Sequence, residues 1–426
     1  MGDAVIGVEA YDAAECVAAD RYCNRIVQAF YPEMFATLGY PSRVKSVDQL
    51  WRYIDVMHET RTLHNIEYLL RGLTTEEFGL FKRVTRMVDE FAQRQFGFRA
   101  HPTAALLRAI HVLRLIKIVT GNERPTVLEV GPGCGYLGML LVMEGYPYVG
   151  TDVVQAFYLY QSHMLSLAAT NFRELAGEEG DILSLEQPKP GTAIHIPWWK
   201  WVTLTPEKVK LSAGIMTSNH VMCEMHQSSM AYMAVIGNRI LSNHLGGGKF
   251  IFENWGYDLL HSKESVANKF AEHGLRLCHD EYFMSAMVLA DEVERWHSES
   301  NSKQAAPAAA LTPVTDKVWI DRWPRLRRLA GAALAHTPTF KRRAIYTVHA
   351  IERLFQRPPS EPLPFVEGPK GEVFPLSKQL TEGRNAVIAR ATIHEPEVRS
   401  FLESHFGGAP PRVPDEVFFD LIGTRQ

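Results

Sequence analysis

Apolar positions between about Ala10 and Thr120 recur at the three- and four-residue spacing of helices, most plainly over His64–Gly72, Thr75–Phe96 and Thr103–Val119. In the second of these, Phe78, Leu80, Phe81, Val84 and Val88 mark the pattern. Thr75 followed by Glu76 and Glu77 makes a helix start, because acids favour the positive end of the helix dipole. The rhythm changes at Pro125. Thr126–Val130 is a short apolar, β-branched run ending in glycines, as a strand buried on both faces does when it feeds a turn. Leu137–Glu144 predicts a helix, Tyr148–Asp152 a strand, and the stretch from about Gln155 to Thr170 a further helix. Ala193–Ile196, Ala213–Ser218, Lys249–Asn254, Leu275–Cys278 and Phe283–Ala290 predict five more strands, with the amphipathic stretch Met225–Asn243 as a crossover helix. Strands alternating with helices imply an α/β fold: a Rossmann-like, doubly wound, mostly parallel sheet of seven strands.

These elements divide the chain. Residues 1–120 form an all-helical region suited to a lid or cap, and residues 121–297 the α/β domain. Residues 298–317, rich in Ser, Ala, Pro and Thr, read as a linker, and residues 318–426 as a C-terminal extension without a nameable motif. Within that extension Trp319–Arg357 carries many arginines and few acids. It reads as a solvated helix face, or else as a surface for an anionic carrier, a phosphate-bearing substrate or a membrane.

Composition adds limits. Of 426 residues, 46% are hydrophobic and 22% charged, an ordinary balance for a chain that buries a core. A formal net charge of −3 makes no case for nucleic acid. The 5 cysteines include no CxxC pair, which favours a reducing compartment over a disulfide framework. No apolar run approaches the roughly 20 residues of a membrane helix, and the N-terminus lacks a basic stretch followed by an apolar one. The expectation is a cytoplasmic protein.

The chemistry concentrates in Val127-Leu128-Glu129-Val130-Gly131-Pro132-Gly133-Cys134-Gly135-Tyr136. A strand delivers Glu129 and then Gly131, Gly133 and Gly135 at a helix start. Glycines there let the backbone turn tightly and approach a nucleotide-like ligand with no Cβ in the way. A dinucleotide fingerprint, GxGxxG, needs glycine where Tyr136 stands, and a carboxylate at Glu129 would repel a diphosphate. A ligand bearing an ammonium and a sulfonium welcomes one. The next strand ends at Asp152, roughly 20 residues past the turn, where an acid can accept hydrogen bonds from both ribose hydroxyls. This arrangement resembles motif I of the class I S-adenosylmethionine methyltransferases, whose acid at that position holds the ribose.

A third element, Ser218-Asn219-His220-Val221-Met222-Cys223-Glu224-Met225-His226, follows an apolar strand and so lies where ligands gather in open α/β sheets. The resembling family places motif IV there. His220 and Glu224, four apart, can each accept the proton that a hydroxyl loses as it takes a methyl group; equally, either can cap, pack or be solvated. His226 is a weaker candidate. No HExxH or carboxylate cluster supports a metal.

Phe98-Arg99-Ala100-His101-Pro102, Asp152 to Gln161, and Ile196-Pro197-Trp198-Trp199, together with Asn219 to Met225, resemble the sugar O-methyltransferase group of bacterial class I enzymes over roughly Phe98–Asn254. The resemblance implies S-adenosylmethionine as cofactor, a small-molecule acceptor, most simply a hydroxyl of a sugar or secondary metabolite, and an aromatic face at Trp198-Trp199 for adenine or a sugar ring. The alternatives are an N- or C-methyltransferase of another small metabolite, a nicotinamide oxidoreductase, and a non-catalytic cofactor-binding or scaffold protein.

Overall fold

The computed structural model describes residues 5–27, 42–54, 66–178, 187–219, 221–222, 225–253, 261, 263–281, 284–302, 366 and 372–407. By its internal contacts the chain divides into residues 1–305 with 364–414, and residues 306–363 with 415–426. Every described residue lies in the first unit. The arginine-rich stretch Trp319–Arg357 lies outside the described residues, as do His220 and Glu224.

Three long helices precede the sheet: α1 (Val8–Val27), α2 (Thr75–Phe96) and α3 (Thr103–Thr120). Two short helical turns, Val47–Tyr53 and Ile66–Leu70, lie between α1 and α2; among the described residues the second is the part of the helical rhythm over His64–Gly72 that takes helical form. The start of α2 is a capping box, in which the Thr74 side chain accepts from Glu77 N–H and the Glu77 carboxylate from Thr74 N–H. That carboxylate also takes both arms of buried Arg114 from α3, at 2.7 and 2.8 Å. Arg114 in turn donates to the carbonyls of Leu70 and Gly72, so one guanidinium fastens three consecutive pieces of chain.

The α/β part then runs β1 (Val127–Val130), α4 (Tyr136–Met143), β2 (Tyr148–Asp152), α5 (Gln155–Ala168), β3 (Asn171–Glu174), β4 (Thr192–Pro197), β5 (Ile215–Asn219), α6 (Gln227–Ser242), β6 (Lys249–Glu253), α7 (Lys263–Glu272), β7 (Leu275–Glu281) and β8 (Met284–Leu289). The sheet has eight strands in the order β3-β4-β2-β1-β5-β6-β8-β7. All neighbours from β3 to β6 are parallel, and β8 inserts antiparallel between β6 and β7. This is the Rossmann-like, doubly wound sheet the pattern predicts, with one correction: eight strands replace seven. The additional strand, β3, is a four-residue edge with one buried side chain, Phe172, so it lacks the apolar run that marks the central strands. Strand order reverses between β1 and β5, which opens the crevice at their carboxyl ends.

The C-terminal side also departs from the expected division. The first residues of the predicted linker continue a helix, α8 (Ala290–Ser302). Helices α9 (Pro375–Ile388) and α10 (Glu395–Phe406) belong to the first unit and do not stand apart as an extension beginning at residue 318. Gln379 of α9 donates to the Ile118 carbonyl of α3, and Arg384 pairs with Glu281 of β7. On α10, Phe401 packs against Phe78 and Phe81 of α2, and His405 meets Asp89, a buried acid that Arg99 also grips. No described helix is long and apolar enough to cross a membrane.

Candidate functional site

Strand β1 is buried along its whole length and ends in the glycine turn. Gly131, Gly133 and Gly135 have φ of 67°, 57° and 76°, a region that costs any residue with a Cβ about 1 kcal/mol or more. Gly131 and Gly135 also have a steric reason. A Cβ on Gly131 would lie 2.2 Å from Val221 Cγ2, and one on Gly135 3.3 Å from the Gln161 backbone of α5. A Cβ on Gly133 would meet no described atom within 4 Å, so among the described residues this peptide borders open space that a ligand can approach.

Register places the polar side chains. Glu129 lies beside Gly150 of β2 and Thr217 of β5, and Gly150 beside His195 of β4, so the four share one sheet face. Two residues further along, Asp152 ends β2, and Asn219 and Glu253 end β5 and β6 side by side. The predicted residues Glu129, Gly131, Gly133, Gly135 and Asp152 therefore gather at the switch point between β1 and β5. His220 and Glu224, lying outside the described residues, have no structural placement.

Both carboxylates are buried, and neither has a cationic partner among the described residues. Glu129 accepts from the Tyr148 hydroxyl at 2.8 Å and from Asn219 Nδ2 at 3.4 Å. Burial pushes its carboxyl up to about 7, the neighbouring Asp152 charge adds to the rise, and the two hydrogen bonds oppose it. Asp152 accepts from Val154 N–H at 2.8 Å and from Gln161 Nε2 at 2.7 Å, and burial lifts it to about 6 against those bonds. At the tip of β5 the Ser218 hydroxyl and Asn219 Oδ1 are buried without a hydrogen-bond partner among the described residues. One strand over, Glu253 is buried against Arg108 of α3.

Tyr148, Gln161, Asn219 and Arg108 are site-forming residues to which the sequence reading assigned no role in the site. For Tyr148 a signal existed. Its ring fills a slot between Gly138 and Gly150, where added Cβ atoms would lie 2.8 Å from its Cζ and 2.8 Å from its hydroxyl. Two glycines flanking an inward tyrosine hint at such a slot. We expect Gly138→Ala to destabilise the protein by about 1–3 kcal/mol in denaturant unfolding through overpacking, although alanine normally gains about 1 kcal/mol over glycine in a helix. A more stable variant would show that the ring does not need the slot.

The N-terminal region reaches the same end of the sheet. Tyr11 of α1 is buried edge-on against Trp199 and tilted against Tyr158. Gln155, at the start of α5, donates to Asp12 of α1 and accepts from Val44 N–H. The Tyr136 hydroxyl, on the helix after the glycine turn, bonds the Ile54 carbonyl. Trp198 and Trp199 are both buried among protein rings, Trp198 against Tyr232, and its Nε1 has no partner among the described residues. His226 caps α6, accepting from Ser228 N–H.

No family model matches the chain, and no curated protein matches it. Among solved structures it is similar to the magnesium protoporphyrin IX methyltransferase of Synechocystis PCC 6803 with bound SAM, at 11% identity and TM-score 0.27 over 50% of this chain and 97% of that one. A methyltransferase from Pyrococcus furiosus aligns at 10% identity and TM-score 0.30, over 49% and 98%. The glycopeptide N-methyltransferase MtfA aligns at 10% identity and TM-score 0.29, over 43% and 89%. TM-scores this low carry no argument; the fold stands on the strand order and register above.

Proposed function

We propose that this chain is an S-adenosylmethionine-dependent methyltransferase acting on a small-molecule hydroxyl, as of a sugar or other secondary metabolite. The observation that carries the reading is the pair Glu129 and Asp152. Two buried carboxylates on adjacent strands face a glycine turn open at Gly133, and among the described residues no lysine or arginine pairs with either. Burying charge without a counter-charge is costly, so such a pair suits a cationic ligand and opposes a diphosphate. The antiparallel β8 is a further departure from the all-parallel dinucleotide fold.

The donor set fits the cofactor residue by residue. Asp152 has lone pairs left for ribose hydroxyls, Glu129 offers negative charge to the methionine end, and the Gly133 backbone permits close approach. Bound there, S-adenosylmethionine supplies a methyl group on a sulfonium, which passes to the acceptor oxygen and leaves S-adenosylhomocysteine. The chain's own part is to hold the two reactants in line, exclude water and take up the acceptor's proton. We assign that proton to His220 or Glu224, on the segment after β5. The N-terminal helices act as a lid over the carboxyl ends of the strands.

Calorimetry with S-adenosylmethionine, S-adenosylhomocysteine and NAD tests the assignment: the first two bind at micromolar strength or better and NAD does not. Tight NAD binding with none for S-adenosylmethionine would overturn it. Acceptor panels read by S-adenosylhomocysteine release then distinguish oxygen from nitrogen or carbon acceptors.

The pH dependence has a definite sign. Both carboxyls titrate above their ordinary range, at about 7 for Glu129 and about 6 for Asp152. A cation favours their ionised forms, so binding releases protons below about pH 7. Affinity for S-adenosylmethionine falls by about tenfold or more between pH 7.5 and 5.5, since each unit of pKa displacement is worth about 1.4 kcal/mol. Affinity that is flat or rises on acidification would contradict the carboxylate pair as the cation's seat.

A further inference from the structure

Gln161, on the inner face of α5, is fully buried and uses both ends of its amide. Its Nε2 donates to Asp152 Oδ2 at 2.7 Å and to the Gly133 carbonyl at 2.8 Å. With both hydrogens directed at acceptors, Oε1 must accept, and it lies 2.9 Å from His195 Nε2. That makes Nε2 the protonated nitrogen of His195. Its Nδ1, 2.9 Å from the Ser162 hydroxyl, is then the acceptor. His195 is held neutral, because burial lowers its pKa to about 3, and its ring is stacked at 3.8 Å on Tyr158. The four groups form a directed chain, Ser162 to His195 to Gln161 to Asp152, in which every donor points toward the carboxylate. The approach is close because position 135 is glycine, which lets the α5 backbone at Gln161 pass beside the turn.

We propose that Gln161 is the positioning residue of the cofactor site, one amide that sets the ribose-binding carboxylate of Asp152 and the Gly133 peptide in fixed register, with His195 and Ser162 orienting it from behind. This inference rests on the cofactor reading above. It adds that the site is preorganised by a buried relay that touches no ligand itself. A purely structural role for Gln161 would predict equal losses for any ligand of the turn. The relay predicts losses that depend on the ribose hydroxyls and on the charge of Asp152.

Among the described residues the groups facing Asp152 are Gln161 from α5, the Val153 and Val154 N–H on its approach, Glu129 from β1, Tyr148 from β2 and Tyr11 from α1. Of these, the Gln161 amide favours the ionised form most strongly, so its loss moves the Asp152 titration upward. The test uses the full chain, with S-adenosylhomocysteine and its 2′,3′-dideoxyribose analogue as probes. Gln161→Leu weakens S-adenosylhomocysteine by about 10- to 100-fold, the loss of one or two charge-assisted bonds that place the carboxylate. The dideoxy analogue changes by less than about threefold, because it makes no bond for the relay to support. The midpoint of affinity against pH moves up by about half a unit or more.

Ser162→Ala adds no bulk and removes only the outermost donor, so it keeps the test open if Gln161→Leu does not fold. It weakens S-adenosylhomocysteine by about threefold and shifts the midpoint in the same direction. Equal weakening of both probes, or an unmoved midpoint in a folded variant that loses affinity, overturns the relay and leaves the cofactor reading standing. Retention of wild-type affinity by either variant does the same. Failure of the wild-type protein to bind S-adenosylhomocysteine overturns both.

Discussion

Asp152→Ala loses about 100-fold or more in affinity for S-adenosylmethionine while remaining folded. The size follows from two hydroxyl hydrogen bonds to a charged acceptor, at about 1.5–3 kcal/mol each, reduced by whatever solvent recovers. The stability expectation comes from the other side of the ledger. Asp152 is a buried carboxyl whose titration burial has raised from 3.8 to about 6, so keeping it ionised at neutral pH opposes folding. Alanine removes that penalty but leaves Gln161 Nε2 with only the Gly133 carbonyl and the Val154 N–H without its acceptor. The two effects offset, and denaturant unfolding should shift by no more than about 1–2 kcal/mol. A site residue whose loss removes function yet scarcely changes stability is the signature expected here. Wild-type affinity in the variant would remove Asp152 from the cofactor site. A collapse of stability would make its role structural.

The second large effect concerns Arg108 and Glu253, whose side chains are 5% and 4% exposed. Arg108→Met should cost about 3–5 kcal/mol, because a buried carboxylate at the tip of β6 loses the guanidinium beside it. The double variant Arg108→Met/Glu253→Leu should recover most of that, since an apolar pair of similar volume carries no desolvation cost. A double variant as unstable as the single one would mean that Arg108 contributes by volume. The pair closes the β6 end of the same row that carries Asn219, and Asn219 holds Glu129, so a loosened Glu253 should also weaken cofactor binding.

How much of the site could be read in advance depends on the distance over which each constraint acts. The turn was legible because its reasons are local. Glycines in the left-handed region follow from the backbone of six consecutive residues, and Asp152 from the end of one short strand. The bounds of α2 fell at Thr75 and Phe96, as the pattern places them, because a capping threonine and a closing glycine sit beside the chain they terminate. Strand β3 was not legible: an edge strand needs no continuous apolar run, and Asn171–Glu174 shows none. Nor were the contacts of α9 and α10, whose partners on α2, α3 and β7 lie far back along the sequence.

The amino-acid order by itself determined the α/β alternation, the glycine turn after β1 and the acids at positions 129 and 152, since periodicity, φ restriction and strand ends are properties of a few neighbouring residues. Only the tertiary structure decided that those acids lie buried without a counter-charge among the described residues, that Tyr148 occupies a slot between two glycines, and that Gln161 joins the turn to Asp152 and His195. Burial and hydrogen-bond partnership depend on which strands become neighbours. That is settled by cooperative packing of the whole sheet, and no local stretch of sequence encodes it.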